Sequence, residues 1–444
     1  MKVGLAKADI TPRIGVELQG YGPYLCRHSD GVRDRLYARA IAFDAGGERA
    51  VLVSCDLAGV PEYLVQRVRE IVRAQTGVLE SSIMVHAIHT HSGPAVRIYT
   101  GWGTVDPPYV EILPYRIADA CCRALAGLQE ATLLHAEVPC RGVAINRETD
   151  AFRVEKIEDA LEDDWQPDKP EETDTTCHVV KVEAGDRMIG FVSYYGCHPV
   201  IGGANTRKIH GDWAGVATNL VQRLHPGSVG LFLQGAQGDV NSCVVCHEEA
   251  EALRALDVIA ARYARSIMDG LAQATPVEAN VLRSVRHATR FSRKPWGRER
   301  LQSLLSERED VLHAREANDA DQRLRQAMVC AQALRGMLQR LYAGEDLSPE
   351  IELQGLRIGP IVLLGSPFET FRAIKNEVVA AARSPIPLVM SFVNGSVGYA
   401  VDRQAAEKGG YAVDLAPFIH GQLPFAAIHD ELVQALLTLD RELV

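Results

Sequence analysis

The sequence predicts an α/β protein with at least one mixed β-sheet, and three observations support this fold class. Short apolar runs alternate with stretches whose apolar residues recur every three or four positions, as in buried strands and amphipathic helices. Apolar residues make up 47% and charged residues 23% of the 444 positions, which suits a globular protein. Polar residues directly follow several apolar runs, where α/β proteins build their binding sites.

The predicted elements follow one another along the chain without a repeat or a flexible linker between them. A hairpin is predicted over residues 37–54, because two apolar runs flank the turn sequence Asp44-Ala45-Gly46-Gly47. Further strands are predicted at residues 82–88, 132–138, 143–146, 177–182, 188–195, 230–233, 351–358 and 361–364. Helices are predicted at residues 61–73, 109–128, 213–224, 248–271 and 368–382.

Residues 298–342 differ from the rest of the chain because they are highly charged and helical in pattern. Their longer amphipathic stripe is formed by Leu324, Met328, Ala331, Leu334, Leu338 and Leu341. A shorter stripe precedes it, and polar residues 318–321 separate the two, so we predict a helical hairpin. The hairpin would pack against its own chain or, alternatively, form a contact in a homo-oligomer.

Charge and hydropathy exclude several classes of function. The net charge of −10 argues against a general nucleic-acid binder. No run approaches 18 consecutive apolar residues, so we expect no membrane span. The N-terminus shows no apolar signal region, so we expect a cytoplasmic protein whose ten cysteines are reduced.

His89 and His91 end the apolar run of residues 82–88, and a Ser92-Gly93-Pro94 loop follows. Side chains two residues apart share one face of a strand, so the two imidazoles are predicted to point together. Imidazole is the commonest protein metal ligand, and the pair therefore indicates a candidate metal site. Two hydrogen-bonded loop histidines would give the same pattern.

Other apolar runs also end in polar residues. His198 follows one run, and Asp212 is predicted to cap the helix that begins at residue 213. Residues 234–241 form a glycine-rich loop whose backbone can approach a ligand closely. Nucleotide binding by this loop is excluded, because it lacks the Gly-Lys-Ser/Thr ending of a phosphate-binding loop. Towards the C-terminus, Glu369 is predicted at the start of a helix and Tyr399 follows another strand.

Cys243-Val244-Val245-Cys246-His247 fits the attachment pattern of c-type haem. We reject haem, because such attachment belongs to exported proteins and the chain shows no export signal. One Cys-x-x-Cys pair cannot by itself close a four-ligand zinc site. A second metal, a redox pair and ordinary cysteines at the start of a helix are the interpretations left open.

These segments, in this order, resemble the catalytic domain of the neutral ceramidase family, zinc-dependent amidases that cleave the N-acyl bond of ceramide. Residues 88–94 match the family's Thr-His-Thr-His-Ser-Gly-Pro motif with one change, and residues 234–241 match its Gln-Gly-x-x-Gly-Asp-Val-Asn loop. Shorter matches in order are residues 8–12, 20–22, 36–40, 146–147, 198–199 and 211–213. The resemblance implies one ceramidase-like catalytic domain over residues 1–444, with mixed β-sheets packed together and helices outside. The hairpin at 298–342 would be an insertion within it.

The resemblance also implies a set of site residues. It implies that Zn²⁺ is bound by His89, His198, Glu369 and Tyr399. It implies that His91, Arg147 and Tyr411 surround the scissile amide as catalytic residues. The family usually has Pro-Gly-Glu where this chain has Pro367-Phe368-Glu369, so the backbone freedom of a glycine is lost beside a predicted ligand.

The reaction implied is hydrolysis of a C–N amide bond in an N-acyl substrate by zinc-bound water, with His91 moving the proton. Arg147 and Tyr411 would stabilise the oxyanion or hold a substrate carboxylate. We expect a small soluble substrate rather than ceramide, because the chain ends near Val444 without room for the family's C-terminal immunoglobulin-like domain.

Several alternatives compete with the amidase. An ester or lactone hydrolase on the same zinc site, or a non-catalytic ceramidase-like binding protein, would also fit the motifs. The amidohydrolase barrel opens with His-x-His as well, but its eight βα units do not suit the predicted hairpins. The metallo-β-lactamase signature is excluded, because Gly93 and Pro94 stand where it requires other residues.

Overall fold

Three β-sheets carry helices on their outer faces in the computed structural model, which describes residues 1–96 and 100–444. The first sheet contains, in spatial order, Ile83–Ala87, Glu48–Cys55, Tyr37–Ala45, Lys2–Asp9 and Gln129–Glu130. Only its first two strands pair in parallel, so the sheet is mixed. The predicted hairpin over residues 37–54 is its centre.

Both faces of the first sheet are buried, which explains why its central strands are apolar throughout. Ala38, Ala40 and Ala42 face the helices Glu62–Thr76 and Pro107–Ala126. Ile41 and Phe43, which alternate with them, face the other two sheets instead.

The second and third sheets repeat this arrangement. The second contains Val229–Gln234, Arg187–Tyr195, Thr176–Ala184, Thr132–Pro139 and Thr275–Pro276, with helices Asp212–Leu224 and Glu249–Gln273 packed on its outer face. The third contains Leu282–Thr289, Ile351–Ile358, Ile361–Gly365 and Ile386–Met390, with helices Arg372–Ala381 and Ile428–Leu443 outside. Each sheet is mixed, because one of its strand pairs is parallel.

One apolar core joins the three sheets. Its buried members are drawn from all of them and include Ile41, Phe43, Leu52, Val182, Leu231, Leu356, Leu363 and Leu388. Because this core lies between the sheets, the helices are left on the outside. The prediction of an α/β fold with mixed sheets packed together and helices outside is therefore confirmed.

Short strand pairs and short helices lie between the longer elements along the chain. Three two-stranded pairs are Gly31–Val32 with Lys208–Ile209, Ala144–Asn146 with Val240–Ser242, and Glu369–Thr370 with Tyr399–Ala400. Short helices or helical turns are Glu80–Ser82, Ile157–Leu161, Pro170–Glu172, Arg403–Lys408, Tyr411–Leu415 and Ala416–Ile419.

None of the helices in the described part of the chain is long and apolar enough to cross a bilayer.

Two helices, Arg298–Leu312 and Gln322–Tyr342, form the charged segment near residue 300. Leu301, Leu304, Leu334 and Leu338 are buried between them and against Phe418 and Leu423. The apolar stripe therefore packs against its own chain. The homo-oligomer contact and the status of residues 298–342 as an insertion stay predictions.

Candidate metal centre

His89 lies just beyond the end of a strand, in a left-handed backbone turn. The strand ends at Ala87, and His89 has φ of +71°. The prediction that strand alternation aligns His89 with His91 is therefore wrong; the turn brings the rings together instead. The Nδ1–H of His89 donates to the carbonyl of Ala58 at 2.6 Å, and the ring stacks on Phe392 at a centroid distance of 4.0 Å. These contacts turn Nε2 towards the interior.

His198 is oriented by the glycine-rich loop. Its Nδ1 lies 2.6 Å from the carbonyl oxygen of Gln237 and 3.1 Å from that of Val240, so Nε2 faces away from the loop. Gly238 of the same loop approaches Glu369 so closely that a methyl group there would lie 2.5 Å from the Glu369 carbonyl oxygen. The glycine therefore permits the contact between the loop and the strand that carries Glu369.

Glu369 lies on a short strand, not at the start of a helix as predicted. The strand Glu369–Thr370 pairs in parallel with Tyr399–Ala400, and the helix begins only at Arg372. The backbone N–H of Glu369 donates to the carbonyl of Gly398 at 2.8 Å. This pairing places Glu369 and Tyr399 side by side.

Phe368 directly precedes Glu369, at the position where the sequence resemblance implied a glycine. Its backbone does not adopt a left-handed φ, so the larger residue introduces no strain there. Its ring is fully buried and packs edge-on against Phe291 and Phe425 at centroid distances of 5.5 and 5.6 Å. Phe368 is thus an apolar anchor beside Glu369.

His89, His198 and Glu369 converge in the interior. The Oε2 atom of Glu369 lies 2.9 Å from Nε2 of His198 and 3.6 Å from Nε2 of His89. One ligand atom from each residue lies within 4.8 Å of the others, and all three residues are buried. Two imidazole nitrogens and one carboxylate oxygen are a ligand set that Zn²⁺ commonly takes. Carbonyls that hold the outer imidazole nitrogens are also typical of metal-binding histidines, so the residues fit a zinc ion.

His89 and Glu369 hold the protonation states that metal binding requires. Burial lowers the pKa of His89 to about 4, which keeps its imidazole neutral. Burial alone would raise the pKa of Glu369, but His89, His198 and Arg147 together lower it to about 2. A carboxylate and a neutral imidazole can bind a metal without first losing a proton.

Arg147, Tyr399 and Tyr411 lie beside this cluster. The guanidinium of Arg147 stands 5.4 Å from the ring centre of Tyr399 and donates to the carbonyl of Gly238 at 2.6 Å. Burial opposes its charge, yet Tyr399 and Glu369 raise the pKa of Arg147 above its ordinary value. The ring of Tyr411 packs edge-on against Tyr399 at 6.0 Å, and its side chain is partly exposed.

His91 lies next to the cluster but outside the group of three. Its Nε2 atom is 3.1 Å from Nε2 of His89, and its ring meets Tyr21 edge-on at 5.0 Å. Its Nδ1 atom is buried, and none of the described residues gives it a hydrogen-bond partner. Gly20 makes room for the ring, because a methyl group at that position would lie 2.5 Å from Cγ of His91.

Two neighbouring cavities open beside these residues. The larger has a volume of about 370 Å³ and is lined by His91, Arg147, His198, Tyr399 and Tyr411, among others. The smaller, of about 50 Å³, is lined by His89, His91, Glu369 and His420. All seven predicted site residues therefore line at least one of the two cavities.

Several residues at the site carry no signal in the sequence. The carbonyls of Ala58 and Gln237 orient the histidines, but a backbone contact leaves no residue signature. His420 reaches the smaller cavity from the turn after the helix Ala416–Ile419, and an isolated histidine there carries no motif.

Asp212 is not the predicted helix cap. It is the first helical residue, with φ of +53°, and its Oδ1 accepts from the N–H groups of Trp213 and Ile201 at 2.8 and 3.3 Å. Burial raises its pKa to about 7. Through Trp213, whose indole donates to the His198 carbonyl at 3.2 Å, this segment supports the backbone of His198.

The Cys-x-x-Cys pair shows no metal site. Cys243 is buried, Cys246 is exposed, and neither is in a disulfide. Within residues 1–96 and 100–444, neither belongs to a group of three histidine, cysteine or carboxylate ligands.

The fold and the site together define an α/β protein with a buried candidate metal centre at its strand ends. Residues 1–265 match the sequence model of the neutral/alkaline non-lysosomal ceramidase N-terminal region. The chain belongs to the neutral/alkaline non-lysosomal ceramidase family, a family of hydrolases.

Two solved structures share the fold. The neutral ceramidase from Pseudomonas aeruginosa matches with a TM-score of 0.73 and 20% identity, over 100% of this chain and 75% of that one. A structure described as ceramidase complexed with C2 matches with a TM-score of 0.73 and 18% identity, over 99% of this chain and 75% of that one. At these identities the likeness establishes the fold.

Proposed function

We propose that this chain is a zinc-dependent amidase that hydrolyses the C–N bond of a small N-acyl substrate. The observation that carries the proposal is the buried group of His89, His198 and Glu369, whose ligand atoms lie within 4.8 Å of one another. His198 also lines the 370 Å³ cavity, so the group adjoins a space where a substrate could bind. Membership of the ceramidase family supports a hydrolase acting on amides.

The proposed ligands are His89, His198, Glu369 and Tyr399. A bound Zn²⁺ would lower the pKa of a coordinated water to about 7 and polarise the substrate carbonyl. The protein's part is to hold the ligands: carbonyls fix the two imidazoles, and the parallel strand pair aligns Glu369 with Tyr399.

His91 is the proposed proton carrier. It lies on the cavity wall, 3.1 Å from a ligand nitrogen, so it can reach a proton on the attacking water. Burial lowers its pKa, so the ring is neutral and able to accept that proton. It would then return the proton to the leaving nitrogen.

Arg147 and Tyr411 are proposed to stabilise negative charge. Arg147 is held by the Gly238 carbonyl and by Tyr399, so its positive charge is fixed in position before a substrate arrives. Tyr411 faces the same cavity and has a hydroxyl that can donate to an oxyanion. Either residue could instead hold a carboxylate of the substrate.

The cavity favours a small substrate over ceramide. Its volume of about 370 Å³ lies near the lower end of the roughly 300–1,000 Å³ of small-molecule pockets. Its walls include polar residues as well as aromatic ones, among them Glu148, Gln322, Gln326, Trp102 and Phe152. A long acyl chain would need a longer and more apolar space.

Metal analysis combined with hydrolysis of a panel of N-acyl compounds tests the proposal. We expect zinc in the purified protein and hydrolysis of short N-acyl substrates. The His89→Ala variant should lose both its activity and the central zinc, which is the ion that His89, His198, Glu369 and Tyr399 would hold. An active His89→Ala protein without zinc at this centre would overturn the proposal. Mass spectrometry of the products separates amide cleavage from ester or lactone cleavage, and a ceramide arm tests substrate size.

A further inference from the structure

A second group of potential metal ligands lies on the second sheet, away from the candidate centre. His135 and Glu137 belong to the strand Thr132–Pro139, and His178 belongs to its antiparallel neighbour Thr176–Ala184. In the strand register Glu137 stands opposite His178, and His135 stands opposite Val180. The three side chains therefore project from the same face of the sheet.

The spacing of their ligand atoms suits a tetrahedral ion. Nε2 of His135 lies 3.3 Å from Nδ1 of His178, which lies 3.7 Å from Oε1 of Glu137. One ligand atom from each residue lies within 4.8 Å of the others. Zn–N bonds of about 2.0–2.1 Å at tetrahedral angles place neighbouring ligand atoms about 3.3 Å apart. The pairs thus need only small side-chain adjustments to share one ion.

The surroundings allow an ion to enter and be retained. The same face of these strands is apolar further along, where Leu133, Val180 and Val182 join the shared core. At the ligand group the side chain of Glu137 is 56% exposed and that of His178 is 19% exposed, so one side is open to water. The nearby cation Lys375 pairs with Asp174, which balances its charge. Two neutral imidazoles and one carboxylate then leave a single negative charge for a divalent cation.

We propose that His135, Glu137 and His178 form a second metal site, which binds Zn²⁺ or a divalent transition-metal ion of similar ligand preference. Three protein ligands from two adjacent strands hold the ion, and water takes the open fourth position. The site shares no residue with the group of His89, His198 and Glu369. The full chain therefore takes up two zinc ions, one at each site.

Calorimetric titration with Zn²⁺ alone tests this stoichiometry on the full-length, chelator-treated protein. We expect two equivalents in the wild type and one in His198→Ala or Glu369→Gln, which lack a central ligand. These two variants should still bind one zinc ion at the second site. When Glu137→Gln or His178→Asn is added to either of them, the affinity for that zinc ion should fall at least tenfold. Glu137→Gln is the safer variant for folding, because its side chain is largely exposed.

His287→Asn is the matched control, because His287 pairs with Glu442 at 3.1 Å on the surface but belongs to no group of three ligands in the described ranges. It should leave the stoichiometry unchanged. One equivalent in the wild type that disappears with His198→Ala would overturn the second site and leave the central one standing. One equivalent that disappears only with Glu137→Gln would support the second site and overturn the central one. Unchanged zinc binding in both Glu137→Gln and His178→Asn would show that the two histidines are merely hydrogen-bonded.

Discussion

The Nε2 atoms of His89 and His91 lie 3.1 Å apart, although the strand that precedes them ends at Ala87. Because Nδ1 of His89 donates to the Ala58 carbonyl, its Nε2 atom carries a lone pair, and the proton between the two rings belongs to His91. A metal at His89 would compete for that lone pair. His91 would then lose this acceptor, and the tautomer with its proton on Nδ1 would leave Nε2 free to accept a proton in the cavity that His91 lines.

His91→Asn should separate proton transfer from metal binding. If His91 carries the proton, the variant should keep its central zinc. Its kcat should fall by about 10²- to 10⁴-fold, which is the usual contribution of a general acid–base residue to the rate. Zinc content measured beside kcat decides this, with His89→Ala as the comparison that loses both. Loss of the central zinc from His91→Asn would instead make His91 a ligand.

Gly20→Ala should displace the ring of His91, although Gly20 is neither a proposed catalytic residue nor a proposed zinc ligand. Gly20 has φ of +105°, and a methyl group there would lie 2.5 Å from Cγ of His91, so the ring must move. We expect a fall in kcat of at least tenfold with the zinc content retained, since a misplaced proton carrier slows the chemistry.

Gly46→Ala is the control for backbone strain alone. Gly46 has φ of +63° in the turn of the first hairpin, and apart from its chain neighbours no described residue has an atom within 4 Å of a methyl group placed there. This variant should lose about 1–2 kcal/mol of stability and keep its kcat. An equal loss of kcat in both variants would mean that strain, and not contact with His91, is responsible.

The sequence predicts the elements of this fold better than it predicts the site. Apolar periodicity predicts a helix at residues 213–224, and the structure has one at Asp212–Leu224. The prediction succeeds because the buried and exposed faces of a helix alternate with a period that is visible in the local sequence. The site depends on contacts between distant residues instead. The segment around Glu369 predicts a helix because it continues into one, but pairing with Tyr399 thirty residues later draws Glu369 into a strand. The left-handed turns at His89 and Asp212 likewise follow from surrounding packing.

Phe368→Ala should show that the aromatic residue beside Glu369 supports the fold. Phe368 is fully buried between Phe291 and Phe425, so truncation should cost about 3–5 kcal/mol by leaving a cavity. Denaturant unfolding of the zinc-free protein measures this without a contribution from metal binding. Phe152→Ala is the matched control, because Phe152 is 54% exposed and its loss should change stability by less than about 1 kcal/mol. Equal effects of the two substitutions would contradict the anchoring role.

His86 should make the zinc-free protein less stable as the pH falls. It is fully buried, and burial lowers its pKa to about 3. The backbone N–H of Gln234 donates to Nε2 of His86 at 3.1 Å, so the ring carries its proton on Nδ1, which faces the Ser54 hydroxyl. Protonation of Nε2 would break the hydrogen bond from Gln234. The unfolded chain, with a histidine pKa of about 6.5, binds this proton more readily than the native state does. Stability is thus retained above about pH 6.5 and lost as the pH falls towards about 3, by up to about 1.4 kcal/mol per pH unit for this one group.

The free energy of unfolding of His86→Gln, measured between pH 4 and 6.5, should therefore depend less steeply on pH than that of the wild type. Removing the ring removes about one proton taken up on unfolding, so the slope should fall by up to about 1.4 kcal/mol per pH unit. Ser54→Ala is the control: it takes away a hydrogen-bond partner of the same ring but leaves the titrating group in place. That variant should be less stable at every pH and keep the wild-type slope. A His86→Gln protein with the wild-type slope would mean that His86 binds its proton equally well in the native and unfolded states over this pH range, and the bond from Gln234 would then have to be reassigned.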